Sequence, residues 1–302
     1  MAYLLRLLLV CSLSIVGMTF FPNSSSLAVS QLDSTDAFSS ALERVNQGDY
    51  EKALQDFTAV IDFQDDLRGV AYSDRCLVNL QLHHYTAAKS DCLQAIEFAP
   101  DNWEAHLNLG LAYYQLKEYQ PALMENQRVI RRNHRDYRAY YNQGLVYFAL
   151  NDYPKAINSY NSALKFSGLI PQEQQATIYT ERGLTYKKLQ RYDLAIANFK
   201  QVIDLNPQDE YSYFNLACAA YEGKKTLIAI KNFTEVVRLN PDFTQAYMNL
   251  AVIYHQLRQD KLALQNTRIV IQKCQQQEDK IGRRNALALE QFILQSQPSR
   301  IA

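Results

Sequence analysis

Five histidines (His83, His84, His106, His134, His255) and five cysteines (Cys11, Cys76, Cys92, Cys218, Cys274) are the side chains of this 302-residue chain best suited to metal or nucleophilic chemistry. A zinc site needs imidazoles and thiolates grouped at short spacing. The adjacent pair His83 and His84 has no cysteine or acid at such a distance along the chain, so it reads as a solvated turn. No phosphate-binding loop, nucleophile elbow or zinc-protease helix motif occurs. Asp65 and Asp66 read as a helix end, and His106 as a packing residue. The spacing offers no catalytic constellation, no metal set and no cofactor motif, so the chain is expected not to be an enzyme. Asparagine does recur at regular spacing, at Asn108, Asn142, Asn215 and Asn249. An asparagine donates and accepts at once, so a row of them can pair with the backbone of an extended peptide without selecting its sequence.

Positioning such a row requires regular elements, and the chain supplies them. Tyr179 to Pro207 is the clearest example: Tyr179, Gly183, Tyr186, then Tyr192, Ala195, Phe199, Val202 and Ile203 recur at three- and four-residue steps. That is the period of one helical face, met twice, with a break near Leu189 to Tyr192 and a stop at Pro207. Aligned on its central alanine, the pattern returns at Ala53, Ala88, Ala122, Ala156, Ala195, Ala229 and Ala263. A period near 34 residues marks a stack of helix-turn-helix units, each contacting its neighbours. Lys plus Arg equals Asp plus Glu, 31 against 31, which removes the positive field that non-specific nucleic-acid binding relies on.

Numbered within the repeat, position 8 is Ala41, Cys76, Gly110, Gly144, Gly183, Ala217 and Ala251, position 20 is always alanine, and position 11 is Tyr113, Tyr147, Tyr186 and Tyr254. Pro100, Pro207 and Pro241 stand at position 32, and Pro121 and Pro154 open second helices, where a missing N–H costs nothing. These residues resemble the tetratricopeptide repeat family over about residues 34 to 277. The resemblance implies an all-α fold, a right-handed α-solenoid of about seven helix-turn-helix repeats. The expected units are 34–68 (degenerate), 69–102, 103–136, 137–170, 176–209, 210–243 and 244–277, with an insertion at 171–175. A capping helix over 278–302 is expected to shield repeat seven with Ile281, Leu287, Phe292 and Ile293. Position 28 (Ile61, Ile96, Ile130, Leu164, Ile203, Val237, Ile271) is expected to form the inter-repeat core.

In this family the first helices line a concave groove through positions 2, 5, 6, 9, 12 and 13. Carried onto this chain, position 6 gives Asn108, Asn142, Asn215 and Asn249, interrupted by the acids Asp74 and Glu181. Beside them stand Tyr114, Tyr141, Phe148, Phe214, Tyr221 and His255, rings that either supply contact area or lean into the helix crossings. The Lys and Asn clamp with which some members hold an acidic C-terminus is missing, and Lys187 with Lys188 is the single basic pair of the expected groove. The partner expected is thus an extended segment of another protein, with no nucleic acid.

Three features lie outside the repeat pattern. Residues 1–30 carry Arg6, an apolar run from Leu7 to Phe21, Pro22, and small residues at Ala28 and Ser30, the order of a secretory signal peptide. The alternative is a membrane anchor over residues 4–21, although the apolar run is shorter than the roughly 20 residues a span requires. Either way the repeats are expected outside the cytoplasm, in a periplasmic, lumenal or extracellular space. If position 8 faces position 20 and position 4 faces position 24, Cys76 and Cys92 are offset by about one helical turn, roughly 5 Å. Four free thiols are then expected. Finally, FSGLIPQEQQ, from Phe166 to Gln175, lengthens one spacing, and repeat five (TERG, Thr180 to Gly183) matches repeat two (SDRC, Ser73 to Cys76). Repeats two to four and five to seven read as a duplicated block with a seam at 167–175. The function expected is a non-enzymatic scaffold holding a partner segment in the groove. The alternative is an accessory subunit of an envelope or membrane complex, docked by its convex face or its anchor.

Overall fold

The computed structural model describes residues 34–63 and 66–296. The expected leader or anchor, Cys11 and Asp65 lie outside the described residues. The chain divides into two compact units, with the boundary between Ile170 and Pro171. The first unit holds α1 (Ser34–Gln47), α2 (Tyr50–Phe63), α3 (Arg68–Gln81), α4 (Tyr85–Phe98), α5 (Trp103–Gln115), α6 (Tyr119–Arg132), α7 (Tyr137–Ala149) and α8 (Tyr153–Leu164). The second holds α9 (Gln172–Lys188), α10 (Tyr192–Leu205), α11 (Glu210–Glu222), α12 (Thr226–Leu239), α13 (Thr244–Gln256), α14 (Asp260–Gln276) and α15 (Lys280–Ser296). Odd-numbered helices up to α13 are the first helices of the repeats, each paired with the following even-numbered one. Each unit is an α-solenoid. No strand occurs among the described residues, and none of their helices is long and apolar enough to cross a membrane.

Each first helix ends the same way. Position 15 has positive φ in every repeat, at Gly48, His83, Lys117, Asn151, Gln190, Lys224 and Arg258. The next N–H reaches back five residues to a carbonyl of the final turn, as from Glu118 to Tyr113 (2.8 Å) and from Arg191 to Tyr186 (2.9 Å). That left-handed residue, with the back-bonded amide behind it, is a Schellman-type stop. It reverses the chain within two residues and places the second helix antiparallel to the first. His83 is one of these turn residues, exposed, with its Nδ1 3.1 Å from the Tyr85 hydroxyl. Several first helices are capped at the other end by a side-chain oxygen on an early N–H: Asn102 on Ala105, Asp136 on Arg138 and Asp209 on Tyr211.

The helix crossing corrects the expected register. A Cβ added at Gly144 would fall 2.3 Å from the Tyr160 ring, and one at Gly183 would fall 2.8 Å from Phe199. Position 8 therefore faces position 24, sixteen residues on, and not position 20. Position 24 is fully or almost fully buried in all seven repeats: Phe57, Cys92, Asn126, Tyr160, Phe199, Phe233 and Thr267. Small faces large in four of them (Ala41 with Phe57, Gly144 with Tyr160, Gly183 with Phe199, Ala217 with Phe233). In repeat two, both partners are cysteine. Cys76 and Cys92 have Cα atoms 5.3 Å apart and form a disulfide, against the expectation of four free thiols. That separation lies in the normal range for the bond. Only Cys218 and Cys274 are free among the described cysteines.

The inter-repeat core also shifts by one residue. Position 27 (Val60, Ala95, Val129, Ala163, Val202, Val236, Val270) is buried throughout, at most 3% exposed. Of the position-28 stripe only Ile61 is buried, and the others are half-buried at its edge. Adjacent helical residues differ by about 100° in direction, so one of the two points inward. In α15 the buried contacts on repeat seven come from Ala286 and Ile293, whereas Ile281, Leu287 and Phe292 are exposed. The insertion does not form a free loop. Ser167–Leu169 is a single 3₁₀ turn, Ile170 is buried, and residues 172–175 lengthen α9 at its start.

Candidate functional site

In unit 1, α3 packs beside α5 and α5 beside α7, so the first helices form one face. A cavity of about 370 Å³ opens on it, lined mainly by residues from positions 2, 5, 6, 9, 12 and 13. Its walls are Phe38, Leu42, Val45, Phe57, Val70, Leu77 and Val78, and its polar side carries Asp74, Glu104, Asn108 and Arg138. In unit 2 a second cavity of about 230 Å³ is lined by Cys218, Tyr221, Glu222, Phe233, Asn249, Val252 and Ile253. The two are the same structural place at different repeats. Each lies between positions 9, 12, 13 and 24 of one repeat and positions 6, 9 and 10 of the next. Leu42 corresponds to Cys218, Val45 to Tyr221, Phe57 to Phe233, and Asp74 to Asn249.

The position-6 row is nearly without internal partners. The side chains of Asn108, Asn142 and Asn215 make no hydrogen bond with any described residue, although Asn142 is only 4% exposed and its Oδ1 is fully enclosed. Asn249 accepts one bond, from Gln245 Nε2 at 3.3 Å. Asp74 and Glu181 likewise form no ion pair or hydrogen bond through their carboxylates among the described residues. Burial, helped by the charge of Glu104, pushes Asp74 up to about 6. Burial alone pushes Glu181 up to about 7. A desolvated polar group without a partner costs stability, and of these positions Asn142 in unit 1 and Glu181 in unit 2 are the buried ones.

The expected aromatics divide. Tyr221 lines the unit 2 cavity beside Asn249, with its hydroxyl hydrogen-bonded to Gln256. Tyr114 and Phe148 are half-buried and tilt onto Tyr119 and Tyr153 at the helix turns. Tyr141 is 7% exposed against Tyr160, and Phe214 packs edge-on to Phe233, so both rings belong to the crossings. His255 pairs through Nδ1 with Asp260 at 2.7 Å and meets the edge of Phe292. Lys187 is spoken for by Glu222 at 2.9 Å. His106 packs as expected but is also bonded to Glu125 at 2.6 Å, which raises its pKa. Cys218 is pushed up to about 11 by burial, so its thiol is protonated and unreactive at neutral pH.

Sequence reasoning missed the apolar walls of the unit 1 cavity and its acid. Phe38, Leu42 and Val45 stand in the repeat that looked degenerate, yet they occupy positions 5, 9 and 12. Asp74 looked like an interruption of the asparagine row. No group of three or more His, Cys, Asp or Glu placed to hold a metal ion occurs among the described residues.

Two tetratricopeptide repeat models match the chain, one at residues 137–167 and 176–209, the other at 77–125 and 214–267. Human Sperm-associated antigen 1 is 33% identical over 86 residues, 28% of this chain and 9% of that protein's length. The C-terminal part of a TPR repeat-containing protein from Cytophaga hutchinsonii superposes with a TM-score of 0.65 at 16% identity, over 83% of this chain and 98% of that one. YrrB, described as a TPR protein with an unusual peptide-binding site, gives 0.53 at 20% identity, over 65% and 97%. Repeats of this kind serve as scaffolds for binding other proteins or peptides. With the two models together matching more than half of its length, and with seven helix pairs among the described residues, the chain belongs to the tetratricopeptide repeat family.

Proposed function

We propose that the chain is a non-enzymatic scaffold, exported from the cytoplasm, that holds an extended segment of a partner protein along the first-helix face. The observation that carries this reading is the position-6 row. In each unit an acid and two asparagines stand at 34-residue steps, half-buried or buried, and among the described residues the Gln245 bond to Asn249 is the one side-chain hydrogen bond they make. An extended peptide offers alternating N–H and C=O groups that such a row can satisfy, while adjoining cavities take side chains. The peptide-binding site described for YrrB is in keeping with this use of the fold.

The disulfide supports export. Cysteines paired inside one repeat persist in oxidising compartments and are rare where thiols are kept reduced. The leader-like order of residues 1–30 points the same way. Joint replacement of Asn215, Tyr221 and Asn249 by alanine tests the groove. Cross-linked partner recovered from cells should fall at least about tenfold, as expected when a group of central contacts is truncated, while the melting profile stays cooperative. Capture at the wild-type level would count against the groove.

A further inference from the structure

The unit 1 cavity combines two chemistries that one kind of side chain satisfies together. Its walls are apolar, and at their edge stands a carboxylate, Asp74, with no partner among the described residues. The second carboxylate of the lining, Glu104, is already engaged. Arg138 donates to it twice, at 2.9 and 2.7 Å, and also to Asp136. The lining thus sets two carboxylates against one guanidinium, and the unmet charge is that of Asp74. We propose that this cavity is the subsite for a lysine or arginine side chain of the bound segment. The methylenes lie along Phe38, Leu42, Val45 and Leu77, and the cationic head sits on the Asp74 carboxylate. The proposal deepens the groove reading above and rests on it.

Three observations favour this occupant. A purely aliphatic side chain would fill the walls but bury the carboxylate further without a counter-charge, which is costly. A long basic side chain covers apolar surface with its stem while its head stays at the polar edge. Second, the acid is not an isolated accident. Position 6 carries an acid in repeat two and again in repeat five, where Glu181 is 8% exposed and also unpaired among the described residues, and asparagine in the four repeats between and after them. Asparagine evidently fits the position without a charge, so the two acids stand where the fold does not require them. Third, the equivalent cavity of unit 2 has Asn249 in place of Asp74 and is smaller, about 230 against 370 Å³. The raised Asp74 pKa agrees with a carboxylate that lacks its counter-ion.

The test uses the full chain and an array of immobilised octapeptides with one fixed central residue and seven randomised ones. The fixed residue is lysine, arginine, norleucine, leucine or glutamate. Lysine and arginine peptides should be retained at least about tenfold better than norleucine peptides, the range expected for a desolvated charge pair. Norleucine matches the lysine stem without its charge. Asp74→Asn, which installs the residue found elsewhere in the row, should erase that preference by bringing lysine and arginine peptides down to the retention of norleucine peptides, while norleucine and leucine peptides are retained no less well and unfolding stays cooperative. Asp74→Glu should keep it. Retention that favours norleucine or leucine, or a basic preference unchanged in Asp74→Asn, overturns the subsite and leaves the groove standing. Retention of no peptide class overturns the groove and the subsite with it.

Discussion

Glu181 shows how a single side chain reports on function through stability. Its carboxyl is raised from 4.5 to about 7 because burial disfavours the charged form, and no ion pair offsets this. The folded state therefore binds more protons than the unfolded one between those values. Stability from this group is full below about pH 4.5, falls as the pH rises through 7, and is flat above. The cost at pH 8 is on the order of 3 kcal/mol from the size of the shift. Replacing Glu181 with Gln should raise the melting temperature by several degrees at pH 8, with the gain shrinking towards zero near pH 4.5. An equal gain at both values would mean that the carboxylate is not desolvated. A protein that keeps such a residue gives up stability at that point, which is characteristic of sites that serve a partner.

At the level of the element, the decisive contact is the one between positions 8 and 24 of a helix pair. Small against large fills the crossing in four repeats, and in repeat two a covalent bond replaces it. Arg75 strengthens the same hairpin, donating to Asp91 from Nε and Nη2 and to Thr58 of the preceding repeat. Its counterpart Arg182 bonds Asn198, and Tyr72 and Tyr179 each lie under the corresponding guanidinium. The likeness of repeats two and five thus extends from sequence to contacts. Alkylation of the denatured, unreduced protein should modify Cys218 and Cys274 but spare Cys76 and Cys92 until a reductant is added. Reaction of all four before reduction would overturn the pairing. Replacing both bridged cysteines with alanine should cost about 3 kcal/mol, as expected for a cross-link closing a loop of this length. The pair Cys76→Ala with Cys92→Phe should recover part of that loss by restoring the small-against-large packing of repeats one and six.

For the whole molecule, the boundary between Ile170 and Pro171 separates repeats one to four from repeats five to seven with α15. It falls inside the stretch that lengthens one spacing, at a single 3₁₀ turn whose Leu169 is 66% exposed. Chymotrypsin under native conditions should cut first at Leu169 and release two fragments, since exposed turns are where native chains are nicked. First cleavage within a helix hairpin would show that the units are not the cooperative bodies. Each unit begins its matched block with an acid at position 6 followed by two asparagines, so each carries its own copy of the same polar row.

The sequence by itself determined the helices, their pairing and their stops, because a 34-residue period with alanine, glycine and proline at fixed places leaves one arrangement of short amphipathic segments. It also placed Asn108, Asn142, Asn215 and Asn249 in a row, since residues one repeat apart take equivalent positions. The tertiary structure decided which residues touch across a crossing. Antiparallel helices can meet in several registers, and the choice of position 24 over position 20 depends on how side-chain volumes interlock, which no single helix encodes. The clue was visible only in retrospect, in small and large residues sixteen apart: Ala41 and Phe57, Gly144 and Tyr160. The same geometry turned Tyr141 into the crossing and joined Cys76 to Cys92. It left Asp74 without a partner among the described residues at the mouth of a cavity, because a carboxylate's lack of a counter-ion depends on every neighbour that folding brings near it.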